Sequence, residues 1–245
     1  MSRVLALLYG VVCYVFFLGV FLYAVPFIGG FLLFKNINEP VRDEPTTTAW
    51  VINSLLLAAF ALQHSVMARP GFKQWWTKII PQPIERATYV LMTNIVMVVL
   101  FIQWRPIAGV VWDVQHPTGR NVLWGLFALG WLIVLVTTFL INHFDLFGLR
   151  QVWLYFRGKE YTHLTFRTPG PYRFIRHPLY VGWMTAFWAI PTMTVGHLYF
   201  ALGCTAYMLI AIVFEERDLI TYHGDTYKEY TKRTGKLLPK FGGGK

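Results

Sequence analysis

The sequence predicts an all-α, polytopic integral membrane protein with five or six transmembrane helices, on three observations. Of 245 residues, 56% are hydrophobic and only 14% charged, whereas a soluble domain carries roughly 45–50% and about 25%. Apolar runs recur from end to end, and the basic residues between them gather in alternate connections.

A membrane-spanning helix needs about 20 mostly apolar residues to cover a hydrocarbon core of about 30 Å. Residues 4–33, 50–67, 88–104 and 122–141 meet that requirement. The first run is too long, and too poor in small residues at a cleavage position, for a removable signal peptide, so it is expected to stay. Residues 180–194 and 198–214 are shorter and are separated by Val195-Gly196-His197, with Pro191 close by. They read either as two short crossings or as a helical hairpin that reaches the far leaflet and returns. With no Ser/Gly-rich linker between runs, residues 1–245 read as a single domain.

Orientation follows from Lys and Arg, which accumulate on the cytoplasmic side. With six crossings and the N-terminus inside, 18 of the 22 basic residues fall on inner segments and only Lys35, Arg42, Arg105 and Arg120 on outer ones. Both termini are therefore expected in the cytoplasm. The same asymmetry accounts for the net charge of +10 as a match to anionic lipid headgroups, without nucleic acid. Cys13 and Cys204 lie in apolar runs, where a thiol acts as a small hydrophobe, and neither has the spacing of a metal site.

Between Asn142 and His177 the chain turns basic and aromatic, with three histidines and the turn Thr168-Pro169-Gly170-Pro171. That segment is expected on the membrane surface or folded back on the helices. After Phe214, residues 215–224 and 225–234 alternate charges and tyrosines at helical spacing, which predicts short amphipathic helices at the inner interface. Gly242-Gly243-Gly244 reads as an unstructured end.

Ionisable groups near spans are costly unless paired or wetted, so they mark candidate sites. Three groups stand out: Gln63-His64-Ser65 with Arg69; Asn142-His143-Phe144-Asp145 with Arg150 and Gln151; and Arg176-His177 opposite Glu215-Glu216. All three are expected at one cytoplasmic depth, as parts of one polar pocket.

The run from His163-Leu164 through Thr168-Pro169-Gly170-Pro171-Tyr172 to Arg176-His177-Pro178-Leu179-Tyr180, then Glu215-Glu216, His223-Gly224, Tyr227, Tyr230 and Leu238-Pro239, resembles isoprenylcysteine carboxyl methyltransferase and its bacterial relatives. Asn142-His143 resembles an upstream pair of that family. Within it, Gln63 to Arg69 and His143 to Gln151 resemble the bacterial methanethiol S-methyltransferases.

The resemblance implies an S-adenosylmethionine-dependent methyltransferase of the bacterial inner membrane. Residues 1–141 would supply N-terminal helices and residues 142–240 the cofactor-binding and catalytic part. The matched positions imply a cofactor site of His163, Leu164, Gly170, Tyr172, Arg176, His177, Pro178 and Glu216, with Tyr180 and Glu215. Such a pocket needs both signs of charge: Arg176, His163 and His177 toward the carboxylate, Glu215 or Glu216 toward the ammonium or ribose, and Tyr172 toward the sulfonium. The acceptor is a small thiol, methanethiol first, giving dimethyl sulfide and S-adenosylhomocysteine. A thiol must lose its proton, and His64, His143 and Asp145 are the candidate bases, with Arg69 or Arg150 favouring the thiolate and a His143–Asp145 relay the leading arrangement. No metal and no obligate protein partner is implied. Competing readings are carboxyl methylation of an isoprenylcysteine-like or other lipophilic substrate, an NnrU-type membrane protein without methyltransferase activity, an NADPH-binding sterol reductase, and a transporter or assembly factor.

Overall fold

The computed structural model describes residues 1–33, 35–41 and 43–240; Arg42 and the Gly242-Gly243-Gly244 run lie outside them. In chain order the helices are α1 (Arg3–Gly29), α2 (Thr46–Ala68), α3 (Pro70–Trp76), α4 (Glu85–Gln103), α5 (Pro117–Ile141), α6 (His143–Leu146), α7 (Leu149–Phe156), α8 (Pro178–Trp188), α9 (Val195–His223) and α10 (Asp225–Arg233). Two short strands, β1 (Val110–Asp113) and β2 (Thr192–Thr194), pair in the one small sheet among the described residues. Five helices, α1, α2, α4 with the turn before it, α5 and α9, are long and apolar enough to cross a membrane. The chain is thus an all-α, multi-pass membrane protein.

The sides of α1 show which solvent the fold expects. Its buried residues include Ala6, Gly10, Cys13 and Ala24, while the larger Val4, Leu8, Val12, Val15 and Leu22 are exposed. Lipid is as apolar as leucine, so helices meet through small residues that let backbones approach, and bulky side chains face the acyl chains.

The chain forms two compact units. The first comprises residues 1–112, 142–163 and 192–200. Here α1 packs against α4 and α7, and α2 against α4. At Gly10 a Cβ would lie 2.5 Å from a Val152 methyl, and at Gly148, with φ +85°, 2.6 Å from the Ala87 backbone nitrogen. Met67, Tyr89 and Val90 form a core with Phe17, Phe72, Trp76 and Phe147 around it.

The second unit comprises residues 113–141, 164–191 and 201–245. Helices α5 and α8 touch backbone to backbone, because a Cβ on Gly130 would come within 2.5 Å of the Ala186 nitrogen and one on Gly182 within 2.9 Å of the Val134 nitrogen. Helices α8 and α9 run antiparallel: the Trp188 indole donates to Thr205 Oγ1 at 2.9 Å, and the Tyr180 hydroxyl to Glu215 at 2.9 Å.

The short fifth and sixth apolar segments therefore form a hairpin of unequal arms. The first arm is only 11 helical residues; Pro191 disfavours helix at the residue before it, and the chain continues extended until the Val114 N–H meets the Pro191 carbonyl at 2.9 Å. The second arm does not stop at Phe214. Residues 215–223 lack Gly and Pro, are rich in helix formers, and prolong α9 to Gly224, which has φ +57°. The separate interfacial helix expected there is thus the end of a span, whereas the next one exists as α10. The first span ends earlier than expected, at Gly30 in the left-handed conformation, whose N–H caps the Pro26 carbonyl.

Because those α5–α8 contacts are backbone on backbone, Gly130→Ala and Gly182→Ala should each destabilise the fold by about 1–3 kcal/mol. Gly125→Ala, on the same helix but with nothing within 4 Å, should not, and thermal unfolding in detergent checks the contrast.

Candidate active site

In the second unit the Arg176-His177 pair precedes α8 and meets Glu215-Glu216 on α9. Arg176 Nε donates to Glu216 Oε1 at 2.6 Å, His177 Nε2 lies 3.1 Å from the same oxygen, and Lys236 Nζ sits 3.5 Å from the other. The side chains of Arg176, His177 and Glu216 are 7%, 3% and 12% exposed. One carboxylate is thus shared by three donors, the arrangement a buried charge requires. Arg176 is further committed through Nη1 to the backbone carbonyls of Thr231 and Thr234. Backbone bonds from Arg176 N to Gly235 O and from His177 N to Lys236 O, at 2.8 and 3.1 Å, hold the segment after α10 beside the motif.

Glu215 differs from its neighbour. Its side chain is 44% exposed, and the Tyr180 hydroxyl orients it. Pro178 opens α8 at its first turn, where its missing N–H costs nothing. Upstream, Gly170 takes φ +53° and begins a short 3₁₀ turn to Arg173. Burial, reinforced by the charges of Glu215 and Tyr230, keeps the Tyr172 phenol above its usual range, hence neutral. The Tyr230 hydroxyl donates to the Tyr172 carbonyl, and burial pushes the Tyr230 phenol up to about 12. Leu164 remains partly exposed, and Phe166 packs on His223, Tyr227 and Tyr230.

The other two groups meet in the first unit. The Tyr89 hydroxyl lies 3.0 Å from His64 Nδ1, and the imidazole stacks on Phe60. Phe147 packs against the cluster of Met67, Tyr89 and Val90 and stacks on Phe17 at 3.8 Å between centroids. Both phenyl rings contact His143. His143 is buried, its Nε2 is 2.8 Å from the Tyr14 hydroxyl, and burial alone holds its pKa below the usual value. Asp145 faces other partners: Arg150 Nη1 at 3.0 Å, Gln151 Nε2 at 3.3 Å and the Tyr161 hydroxyl at 3.3 Å. Arg69 turns back on its own helix, to the Ser65 carbonyl.

Comparison with known proteins decides the family. The chain is 52% identical to a methanethiol S-methyltransferase of Crocosphaera subtropica, over 99% of its length and 94% of the relative's. It is 49% identical to that of Mycobacterium tuberculosis over 98% of both chains. The chain belongs to the methanethiol S-methyltransferase family. A more distant likeness joins it to nurim of Sus scrofa, 28% identical over 70% of this chain and 67% of that one. No protein-family model and no solved structure matches.

For this methanethiol S-methyltransferase family member, sequence reasoning paired Arg176-His177 with Glu215-Glu216 and selected both histidine groups. It missed Tyr14, Tyr89, Tyr161 and Lys236. Tyr14 and His143 are 129 residues apart, so no local spacing joins them; Tyr161 carried a weak signal as an aromatic next to the motif's first residues.

Glu216→Gln should destabilise the protein by on the order of 2–3 kcal/mol, since it leaves the buried Arg176 guanidinium without its carboxylate. Glu215→Gln, half-exposed and bonded mainly by Tyr180, should cost less than about 1 kcal/mol; unfolding midpoints of the two variants measure the difference.

Proposed function

We propose that this chain transfers the methyl group of S-adenosylmethionine to the sulfur of methanethiol, producing dimethyl sulfide and S-adenosylhomocysteine. The observation that carries this reading is the near full-length identity to methanethiol S-methyltransferases, and the chemistry of the residues agrees with it. A zwitterionic, cationic donor needs an accessible carboxylate, an accessible cation and an aromatic face. Glu215 and Lys236, 44% and 53% exposed, and the neutral Tyr172 supply those, so the side chains fit the group. Glu215 accepts from the ammonium or ribose hydroxyls. Arg176, His177 and Glu216 hold the start of α8 to α9, and His163, Leu164, Gly170, Pro178 and Tyr180 are assigned to the donor by their matched positions.

Held by those residues, S-adenosylmethionine would supply a methyl carbon on positively charged sulfur, with a neutral thioether as the leaving group. The thiol proton grows acidic as the thiol sulfur gives its lone pair to that carbon, so a neutral imidazole suffices to take it. His143 is assigned that part, with the Tyr14 hydroxyl beside its ring, and His64 with Tyr89 is assigned to the thiol. Asp145 and Arg150, engaged with each other, are assigned to positioning and not to the proton. Residues 1–245 act as one methyltransferase domain in a bacterial inner membrane, with both termini cytoplasmic as the basic residues direct, and lipid covers the exposed apolar faces.

Purified protein in detergent, given both substrates, should release dimethyl sulfide to the headspace in step with S-adenosylhomocysteine. Donor binding without dimethyl sulfide would move the acceptor to larger, prenylated thiols or carboxylates; absence of donor binding would end the reading. His143→Ala should lower kcat by about 10²-fold.

The depressed pKa of His143 also sets a pH dependence. Activity should persist below pH 6.5, because the imidazole stays neutral there, and then fall as it protonates. Its contribution to stability runs the same way. The unfolded chain takes up this proton near the ordinary value, and the folded chain only at lower pH. Stability should therefore drop as pH falls below about 6.5, and less steeply in His143→Gln. Rate and unfolding profiles between pH 5 and 8 test both.

A further inference from the structure

The segment from Gly158 to Thr165 is exposed and has no helix or strand, yet it delivers His163 and Leu164, the first residues of the donor-binding run. Its conformation is set by side chains from α6 and α7. Arg150 Nη1 donates to the Thr162 carbonyl and Nη2 to the Thr162 hydroxyl, both at 2.8 Å. This two-pronged grip uses the fixed fork of a guanidinium, which an ammonium cannot reproduce. The same guanidinium lies 5.2 Å from the centre of the Tyr161 ring, and the edge of that ring packs against His163 at 5.1 Å and 82°. Asp145 ties the assembly together. It pairs with Arg150 through Oδ1 and accepts from the Tyr161 hydroxyl through Oδ2. It is itself fixed by Gln151 and by its backbone N–H, which donates to Asn142 Oδ1.

We infer that Arg150, Asp145 and Tyr161 form a latch that holds the Tyr161–His163 segment ready for the methyl donor, so that they are positioning residues for donor binding and not members of a proton relay. Ordering a loop costs conformational entropy. With the latch in place that cost is met in the free protein; without it, donor binding must supply it and affinity falls. The inference rests on the proposal that the run from His163 binds the donor.

The experiment uses the full chain in detergent. Kd for S-adenosylmethionine is measured by calorimetry, and kcat and both KM values by headspace assay, for wild type, Arg150→Lys, Tyr161→Phe, Thr162→Val and the Arg150→Lys/Thr162→Val pair. Arg150→Lys should raise Kd and KM for the donor about 10-fold, with kcat at saturating donor, KM for methanethiol and the pH profile changing far less. Tyr161→Phe and Thr162→Val, each removing one hydrogen bond from an exposed segment, should raise donor Kd a fewfold. The Thr162→Val effect should largely vanish in the Arg150→Lys background. Trypsin should cut Arg150→Lys faster than wild type after Lys159 and Arg167, a readout that needs no donor.

A fall in kcat at saturating donor, or a shifted pH profile, with donor Kd unchanged would overturn the latch in favour of a proton or thiolate role. Unchanged donor affinity and unchanged cleavage in all variants would overturn it outright. If wild type itself binds no S-adenosylmethionine, the functional reading fails; the latch alone fails if wild type binds and Arg150→Lys binds equally well.

Discussion

Glu216 places a negative charge where little water reaches it, and the second unit is arranged around the groups that contact it. Arg176 and His177 come from the start of α8, and Lys236 from beyond α10. Removing two charges from water is expensive, and their attraction repays that cost only when the geometry is close and the remaining hydrogen bonds are satisfied. Here the guanidinium also takes two carbonyls of the C-terminal segment, so a single ionic cluster fixes where α8 begins, where α9 passes and how the tail returns. Glu215, one residue earlier, projects to a different and more exposed place. Two adjacent glutamates thus differ, one internal and held by its partners, the other half-exposed.

Elsewhere the constraint is lipid. With no hydrophobic drive between helices, contact depends on how closely backbones approach. Gly130 and Gly182 bring α5 and α8 together, and Gly10 admits Val152 on α7. Those approaches are what make an 11-residue α8 viable: too short to span by itself, it lies against α5 and hands over to α9, where Trp188 and Thr205 close the polar ends.

In the first unit, polar side chains pair with aromatic ones. His64 and His143 each share a hydrogen bond with a tyrosine hydroxyl, His64 beside Phe60 and His143 beside Phe17 and Phe147. Around His143, burial disfavours the protonated imidazole. Asp145, by contrast, is held by a guanidinium and a phenol, so its oxygens are already engaged.

Length and apolarity alone determined four of the five long helices and left the fifth, α9, as one of a shorter pair, because a span is a one-dimensional property: about 20 residues without charge. The hairpin, and the meeting of Arg176-His177 with Glu215-Glu216, were also legible, since an antiparallel pair of known length brings its two ends together. The end of α9 was not, because the expectation treated Glu215-Glu216 as the water boundary, whereas their pairing with Arg176, His177 and Tyr180 lets the helix carry them onward. Nor was the partner of either histidine, as Tyr14 and Tyr89 are apolar-run residues until packing aims their hydroxyls. Sequence fixes which groups are available and at what depth; tertiary structure decides which of them spend their hydrogen bonds on each other and which stay open to a substrate, because pairing depends on distances between segments that local spacing does not encode.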